Sequence, residues 1–470
     1  MPTPVKINNP DAKKLKVLLA PLDWGLGHVT RCVPIIKELL NQKCIVVAAV
    51  SGIQKTILLR EIPDLTFVEL PGYGIKYGKN RAMTVFQLIC SIPKILIRVN
   101  REKAWLRAWA RREQPDLIIS DNRYGLYLPG VVSIFMTHQL LIRTPFGPVA
   151  DRILQRMNYA FIRRFSLCWV PDAEGPDGLA GELSHPARMP DIPVRYIGWL
   201  SRFGGAAGLT GWDVDRRESL GVGGIPGDRI DGGGGAGLRG GGEGWRGGGE
   251  RAGFDLLVLL SGPEPQRTLL EKKILEQVID YPGRVVLVRG LPGDAGVREG
   301  AGLRGGAGLR GDAELRGGAG LRGGAGLPEG ADLAAPPRVT IHNHLPAAEL
   351  EAVIREAGQI ICRSGYSTIM DLMRLGKRAI LIPTPGQTEQ EYLGNYLAQK
   401  GWAICIEQDG FFLPDAMAAA NVMGGANVMG GKDAMQAAEG QQKEKLPDTR
   451  TGEHLLKKEI MDVIGRLKRY

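Results

Sequence analysis

Short apolar runs alternate with helix-length patterns along most of this chain, and glycine-rich tracts cut the series in two. In residues 15–200 the runs fall at Leu15–Ala20, Ile45–Val50, Leu65–Leu70, Leu117–Ser120, Val131–Phe135 and Leu167–Val170, with helical patterns such as Val29–Leu40 between them. Residues 254–412 repeat the scheme with Asp255–Leu260, Arg284–Arg289, Val339–Ile341, Gln359–Cys362, Ala379–Ile382 and Ala403–Ile406. Apolar runs too short for helices, each separated from the next by a helix, predict mostly parallel strands. The chain therefore reads as α/β, with two doubly wound sheets that would bind ligands beyond the carboxyl ends of their strands.

The interruptions are compositional. Residues 201–253 and 291–337 hold more than half of the 66 glycines. The second tract carries a near-repeat of six residues, Ala301-Gly-Leu-Arg-Gly-Gly and three successors, and the same hexad stands at Ala236–Gly241. One apolar anchor per hexad cannot offset the entropy of ordering so much glycine, so both tracts read as disordered insertions. Residues 413–452 read as a looser linker, with Asn421-Val-Met-Gly-Gly recurring at Asn427, before a last helix in 453–470.

Charge narrows the partners. The formal net charge is +10, and the excess of Lys and Arg lies in residues 1–200. That half should meet an anionic ligand or membrane surface. Residues 81–112 interleave basic side chains with Val85, Phe86, Ile92, Ile95, Trp105 and Trp109, a pattern that fits either a lipid-facing surface or a solvated helix with one core face. No nucleic-acid-binding signature is present, so no nucleic acid is expected. The six cysteines are scattered without a C-x-x-C pair, as for free thiols in a reducing compartment. No segment is apolar for long enough to span a bilayer, and the first residues lack a signal-peptide core.

Three strand-to-helix loops carry chemistry. In Asp23-Trp-Gly25-Leu-Gly27-His28-Val-Thr-Arg31, two glycines let backbone approach a ligand, and His28 at a helix N-terminus would tend to stay neutral. It could serve as a general base or only cap the helix. In Leu260-Ser261-Gly262-Pro-Glu-Pro-Gln-Arg267, the hydroxyl, the backbone N–H and the arginine suit a phosphate, against an ordinary turn as the simpler reading. The third, Arg363-Ser364-Gly365-Tyr-Ser367-Thr368-Ile-Met-Asp371, follows one strand and opens a helix that stops at Gly376. Hydroxyls and unpaired N–H groups at that helix N-terminus favour phosphate, and Asp371 lies within reach of a ribose. His342-Asn-His344-Leu345 lacks the further ligands a metal would need, and neither α/β half holds a D-x-D pair.

The spacing S-G-x-x-T-x-x-[D/E]-x-x-x-x-G over Ser364–Gly376, followed by Ala379–Ile382 and Pro383-Thr-Pro-Gly386, resembles the donor site of GT-B glycosyltransferases. It looks most like family 28, which includes the lipid-linked N-acetylglucosaminyltransferase of peptidoglycan synthesis. Asp371 stands where that enzyme usually has Glu. The Gly25-Leu-Gly27-His28 loop also resembles a group of bacterial and archaeal glycosyltransferase-like proteins. The resemblance implies a GT-B fold, with an acceptor-side domain at 15–200, a nucleotide-sugar domain at 254–412 and a terminal helix crossing back to the first domain. It implies transfer of N-acetylglucosamine or a similar hexose from a UDP-sugar to an acceptor hydroxyl, with inversion, without metal and with no cofactor beyond the co-substrate. His28 would take the acceptor proton, with Gly25, Gly27 and Arg31 forming the acceptor-side loop. Ser261, Gly262, Arg267, Arg363, Ser364, Gly365, Ser367 and Thr368 would hold the diphosphate, His344 and Leu345 the base, Asp371 the ribose, and Glu389 and Gln390 the sugar. The acceptor would be lipid-linked or another small glycan, and the protein cytoplasmic, peripheral at the inner membrane face. A nucleotide-sugar hydrolase or epimerase of the same fold, or a non-catalytic nucleotide-sugar binder, stays open beside it.

Overall fold

The computed structural model describes residues 14–23, 25–73, 81–175, 178–203, 254–291, 297–298, 338–424, 446–447 and 451–469. The Gly-rich tracts read above as insertions fall almost wholly outside these residues.

The first half contains β1 (Lys16–Pro21), α1 (Gly27–Asn41), β2 (Ile45–Val50), α2 (Ile53–Glu61), β3 (Thr66–Glu69), α3 (Arg81–Glu113), β4 (Leu117–Asp121), β5 (Val132–Met136), α4 (Pro148–Ile162), β6 (Leu167–Val170) and β7 (Val194–Tyr196). They form a seven-stranded sheet of order β3-β2-β1-β4-β5-β6-β7, parallel throughout. The strand order reverses between β1 and β4, where Pro21 pairs with Asp121. A crevice opens at such a reversal, because the connections leave toward opposite faces of the sheet.

The second half contains β8 (Leu256–Leu259), α5 (Gln266–Val278), β9 (Val285–Val288), β10 (Val297–Arg298), β11 (Val339–His342), α6 (Ala347–Glu356), β12 (Gln359–Cys362), α7 (Tyr366–Arg374), β13 (Ile380–Leu381), α8 (Thr388–Gln399), β14 (Ile404–Cys405), α9 (Leu413–Gly424) and α10 (Thr451–Leu467). Its sheet runs β10-β11-β9-β8-β12-β13-β14, and only the β10–β11 pairing is antiparallel. Here the order reverses between β8 and β12.

Three segments differ from the sequence reading. β7 has no apolar run to announce it: Arg195 is exposed and its neighbours half-buried, as on an edge strand. Val297 and Arg298 lie in a tract read as insertion, yet they pair with Ile341 and His342. Residues 413–424, read as the start of a linker, form α9, because Leu413, Ala416 and Ala420 pack on Leu270 and Ile274 of α5 and its neighbouring strands.

The core explains how the halves meet. In α1, Val29, Cys32, Val33, Ile36 and Leu39 share one buried face. In α7, Tyr366, Ile369, Met370 and Met373 do the same, and Gly376 at φ +65 closes the helix while Lys377 N–H bonds Leu372 O over 2.9 Å. Both faces belong to one continuous apolar cluster that also takes in Leu456, Ile460, Val463 and Ile464 of α10. Full burial of one such side chain contributes about 1.5–3 kcal/mol, so this shared layer holds the domains face to face. Tyr366 Oη donates to Pro171 O over 2.8 Å and Tyr396 Oη to Gly178 O over 3.0 Å, and Glu182 N–H donates to Tyr392 Oη over 2.8 Å. Arg195 of β7 meets Glu459 of α10 at 3.5 Å. Among the described residues, no helix is long and apolar enough to cross a membrane.

Candidate functional site

The two strand-order reversals face one another, and the N-termini of α1 and α7 meet between them. Ser367 Oγ donates to Gly27 O over 2.8 Å. A Cβ at position 27 would stand 2.7 Å from that hydroxyl, so the approach requires glycine. Gly25, at φ +74, makes the preceding turn in a backbone region that other residues avoid. Two helix N-termini, each rich in unpaired N–H groups, thus converge on the same place.

The rotation of α1 is fixed by its apolar face, which turns His28 and Arg31 together toward the end of β4. Arg31 Nε donates to Asp121 Oδ2 over 3.0 Å while its Nη2 donates to Oδ1, a two-pronged clamp on a carboxylate with no exposure. Burial alone would push the Asp121 carboxyl up; the Arg31 charge and the contacts of His28 outweigh it and hold the group well below the usual range. His28 Nδ1 lies 3.0 Å from Asp121 Oδ2 and 2.8 Å from Arg31 Nη2. One nitrogen cannot serve both: it must carry a proton to bond Asp121 and lack one to accept from Arg31. Two tautomers therefore compete, and only the one bonded to Asp121 leaves Nε2 free to take a proton. Burial, then the Arg31 charge, lower the pKa of His28, so the ring is neutral at physiological pH.

Just past β5, His138 reaches the second half of the chain. Its Nε2 lies 2.7 Å from Oε1 of Glu389 in the first turn of α8, its Nδ1 lies 3.1 Å from Arg31 Nη1, and its ring stacks on Tyr366 with centroids 4.0 Å apart. Burial pushes the Glu389 carboxyl up, but His138, His28 and Arg31 together bring it below its ordinary value.

Several residues singled out by sequence lie elsewhere than at an open cleft. Arg363 has no exposure. It donates to Ile382 O, Pro383 O and Gln266 O at 3.2, 3.1 and 2.8 Å, and to Gln408 Oε1 at 2.6 Å. With these donors turned inward, it braces the sheet end from within. Arg267 is turned into Glu264, Glu271 and Thr268, with 2.6, 2.6 and 2.8 Å contacts. Ser364 Oγ donates to Gln390 O, and Gln390 Oε1 accepts the Thr384 N–H, so this buried pair closes the Pro-rich loop instead of presenting a sugar-binding amide. Asp371 accepts from Ser201 Oγ at 2.7 Å and from Arg202 N and Nε at 3.3 and 3.1 Å, which fills the place expected of a ribose. Leu345 is core. His344 is half-buried; burial, then Arg202 and Arg60, pull its pKa down to about 4.

The structure brings together Gly27, His28, Arg31, Ser367 and Glu389. Gly365 and Thr368 flank this point in the turn that opens α7, and Ser261 and Gly262 follow β8, the strand paired with β12. Gly262 takes φ +99, and the buried Thr384 hydroxyl, which has no hydrogen-bond partner among the described residues, is the atom of those residues nearest the space its Cβ would fill. Sequence reading missed Asp121, His138 and Thr384. Asp121 had a signal, an acidic residue closing an apolar strand at a reversal point; His138, two residues past β5, had only its position.

Known proteins can now be set beside this geometry. Residues 343–417 match the glycosyltransferase family 28 C-terminal domain. The chain is 40% identical over 73 residues to a UDP-N-acetylglucosamine–N-acetylmuramyl-(pentapeptide) pyrophosphoryl-undecaprenol N-acetylglucosamine transferase of Methylorubrum extorquens, a match covering 15% of this chain and 20% of that protein. The same-named transferase of Desulforudis audaxviator is 43% identical over 60 residues, or 12% and 16% of the two chains. The match thus spans about a fifth of these relatives' length or less. In fold the likeness is far wider. The glycotransferase of kitacinnamycin superposes with a TM-score of 0.55 over 97% of this chain and 99% of its own, at 14% identity. A calicheamicin glycosyltransferase does so with 0.51 over 97% and 99%, at 12% identity. The chain has the GT-B fold, as the resemblance of its motifs implied, and residues 343–417 are similar to a glycosyltransferase family 28 C-terminal domain.

Proposed function

We propose that this protein transfers a hexose from a nucleoside diphosphate sugar to an acceptor hydroxyl, with inversion and without a metal ion. The observation that carries the reading is the His28–Asp121 pair, 3.0 Å apart, beside the N-terminus of α7. With its Nδ1 proton donated to Asp121, His28 takes the acceptor's proton on Nε2. The acceptor oxygen forms its bond to the anomeric carbon as the bond to the diphosphate oxygen breaks from the opposite face. The departing diphosphate keeps that electron pair, and its charge meets the N–H groups opening α7, the Ser367 and Thr368 hydroxyls, and the loop at Ser261 and Gly262. Glu389, whose second oxygen is not engaged by His138, accepts from a hydroxyl of the sugar.

UDP-N-acetylglucosamine is the donor named in the relatives matched over residues 343–417, and we take it as the first donor to test. Those relatives act on an undecaprenol-linked acceptor, which suits a lipid-linked acceptor here and a protein peripheral to the cytoplasmic face of the membrane. One surface feature supports this reading. Phe146, Val149, Ile153 and Met157 form an exposed apolar stripe on and before α4, with exposed Arg152 and Arg156 beside it.

The decisive experiment is thermal shift with UDP and UDP-sugars, with and without magnesium, followed by turnover with lipid extract as acceptor. A ligand held at a hundred times its Kd should stabilise the fold by about 2.7 kcal/mol. Magnesium-independent stabilisation, with UDP release that needs the acceptor, is expected. Rapid UDP release without acceptor would make the protein a hydrolase, and no shift with any nucleotide at millimolar concentration would sink the reading.

A further inference from the structure

His138 joins the two halves of the site, and the geometry fixes its proton. Arg31 can only donate, so the His138 Nδ1 at 3.1 Å from its Nη1 accepts. The ring proton then sits on Nε2 and is donated to Glu389 over 2.7 Å. The ring is buried and stacked parallel to Tyr366, with 8° between planes, so it has no other orientation to take. The groups facing it are Arg31 on α1, Tyr366 on α7 and Glu389 on α8, with His28 and Asp121 beyond Arg31.

This contact pins the guanidinium that competes for His28. With Nη1 held by His138, Arg31 stays in the plane of the Asp121 carboxylate, Nε and Nη2 both engaged there. Released from His138, Nη2 is free to swing fully onto His28 Nδ1, which it already approaches to 2.8 Å. That bond favours the tautomer with its proton on Nε2, which cannot act as a base.

We propose that His138 is a positioning residue that makes the base tautomer of His28 depend on Glu389 of the opposite domain, an inference that rests on the transfer reaction proposed above. Engagement of the second domain would set the base, and its withdrawal would disarm it. Water or a stray hydroxyl would then find no base in an open cleft.

The test uses the full chain with 15N-labelled histidine, read by long-range proton–nitrogen correlation. Such spectra report the tautomer of each ring directly, and six histidines make assignment by substitution practical. In the wild type His138 should carry its proton on Nε2. His138→Ala and the milder Glu389→Gln should each move the His28 tautomer ratio toward Nε2–H by about threefold or more. Where turnover is measurable, kcat of His138→Ala should fall about tenfold while its donor KM stays within about twofold, with a displaced pH profile. An unchanged His28 tautomer ratio in both variants, or a His138 protonated on Nδ1, overturns the proposal. If His138→Ala does not fold, Glu389→Gln decides alone. A wild type without turnover of any nucleotide sugar overturns the transfer reading instead, and the spectra still decide this one.

Discussion

Ser201 donates its hydroxyl to Asp371 over 2.7 Å, and Arg202 closes on the same carboxylate from the other side at 3.1 Å. The segment leaving the first domain is thereby tied to α7 of the second. Burial raises the Asp371 pKa above its ordinary value, and the charge of Arg202 and the hydrogen bond from Ser201 pull against that rise. Arg202→Ala should cost about 1–3 kcal/mol in unfolding free energy, the range for a buried hydrogen bond to a charge. UDP should stabilise this variant more than it stabilises the wild type, because a ribose no longer has to displace the arginine. An equal UDP shift in both proteins would mean that the ribose does not contact Asp371.

The His28–Asp121 pair separates chemistry from binding. His28→Gln should lower kcat by about a hundredfold to ten-thousandfold with little change in UDP affinity. Asp121→Asn should cost as much activity and also about 3–5 kcal/mol of stability, since it strands the buried Arg31 charge. Steady-state kinetics beside chemical denaturation check both. A His28→Gln enzyme with wild-type kcat would remove this residue from the reaction.

Arg363 makes an opposite case. Its donors go to carbonyls and to Gln408 inside the domain, so Arg363→Met should act on folding and not on ligand. The expected result is a loss of about 3 kcal/mol or more in denaturant unfolding, with the UDP dissociation constant of the folded fraction unchanged. A stable variant with weak UDP binding would return the residue to the diphosphate.

Acid should weaken the fold through His344. Its folded pKa of about 4 lies below the ordinary 6.5. Between those values the unfolded chain binds a proton that the folded protein does not, so stability falls as pH drops from about 6.5 to about 4. His28 acts in the same direction. His344→Gln should flatten this part of the stability profile by about 1 kcal/mol, allowing for solvent screening at a half-buried site. An unaltered profile, measured by urea unfolding across that range, would show that the ring is solvated.

The α4 stripe gives the membrane reading its test. Replacing Val149 and Ile153 with Glu should reduce co-sedimentation with anionic vesicles about tenfold or more, since each removes apolar contact and adds repulsion. The fold should be unaffected, as both side chains are exposed. Undiminished sedimentation would move the contact to another face.

Much of this architecture could be read from the chain alone. The strands at Ile45–Val50, Leu167–Val170 and Gln359–Cys362 fall where the apolar runs put them, because a run buried on both faces has no other reading. The loops at His28 and Ser367 were legible as helix starts after strands. Depth was not. Arg363 and Arg267 carry the charge a phosphate would want, but a sequence does not say whether a guanidinium points into the cleft or back beneath the sheet. Partners distant in the chain were equally hidden: Glu389 meets His138 across 251 positions, and no local pattern links them.

The placement of α10 bears on how this chain can be divided. Leu456 and Ile460 pack in one cluster with α1, and Glu459 reaches Arg195, so α10 completes the first domain although it follows the second in the chain. A gene cut near residue 203 would give an N-terminal product with a bare apolar flank, prone to self-association, and no clean independent half. Fusing residues 451–469 onto that product through a short glycine linker would restore the missing wall. It would give a first-half module whose ligands could be studied apart from the second half.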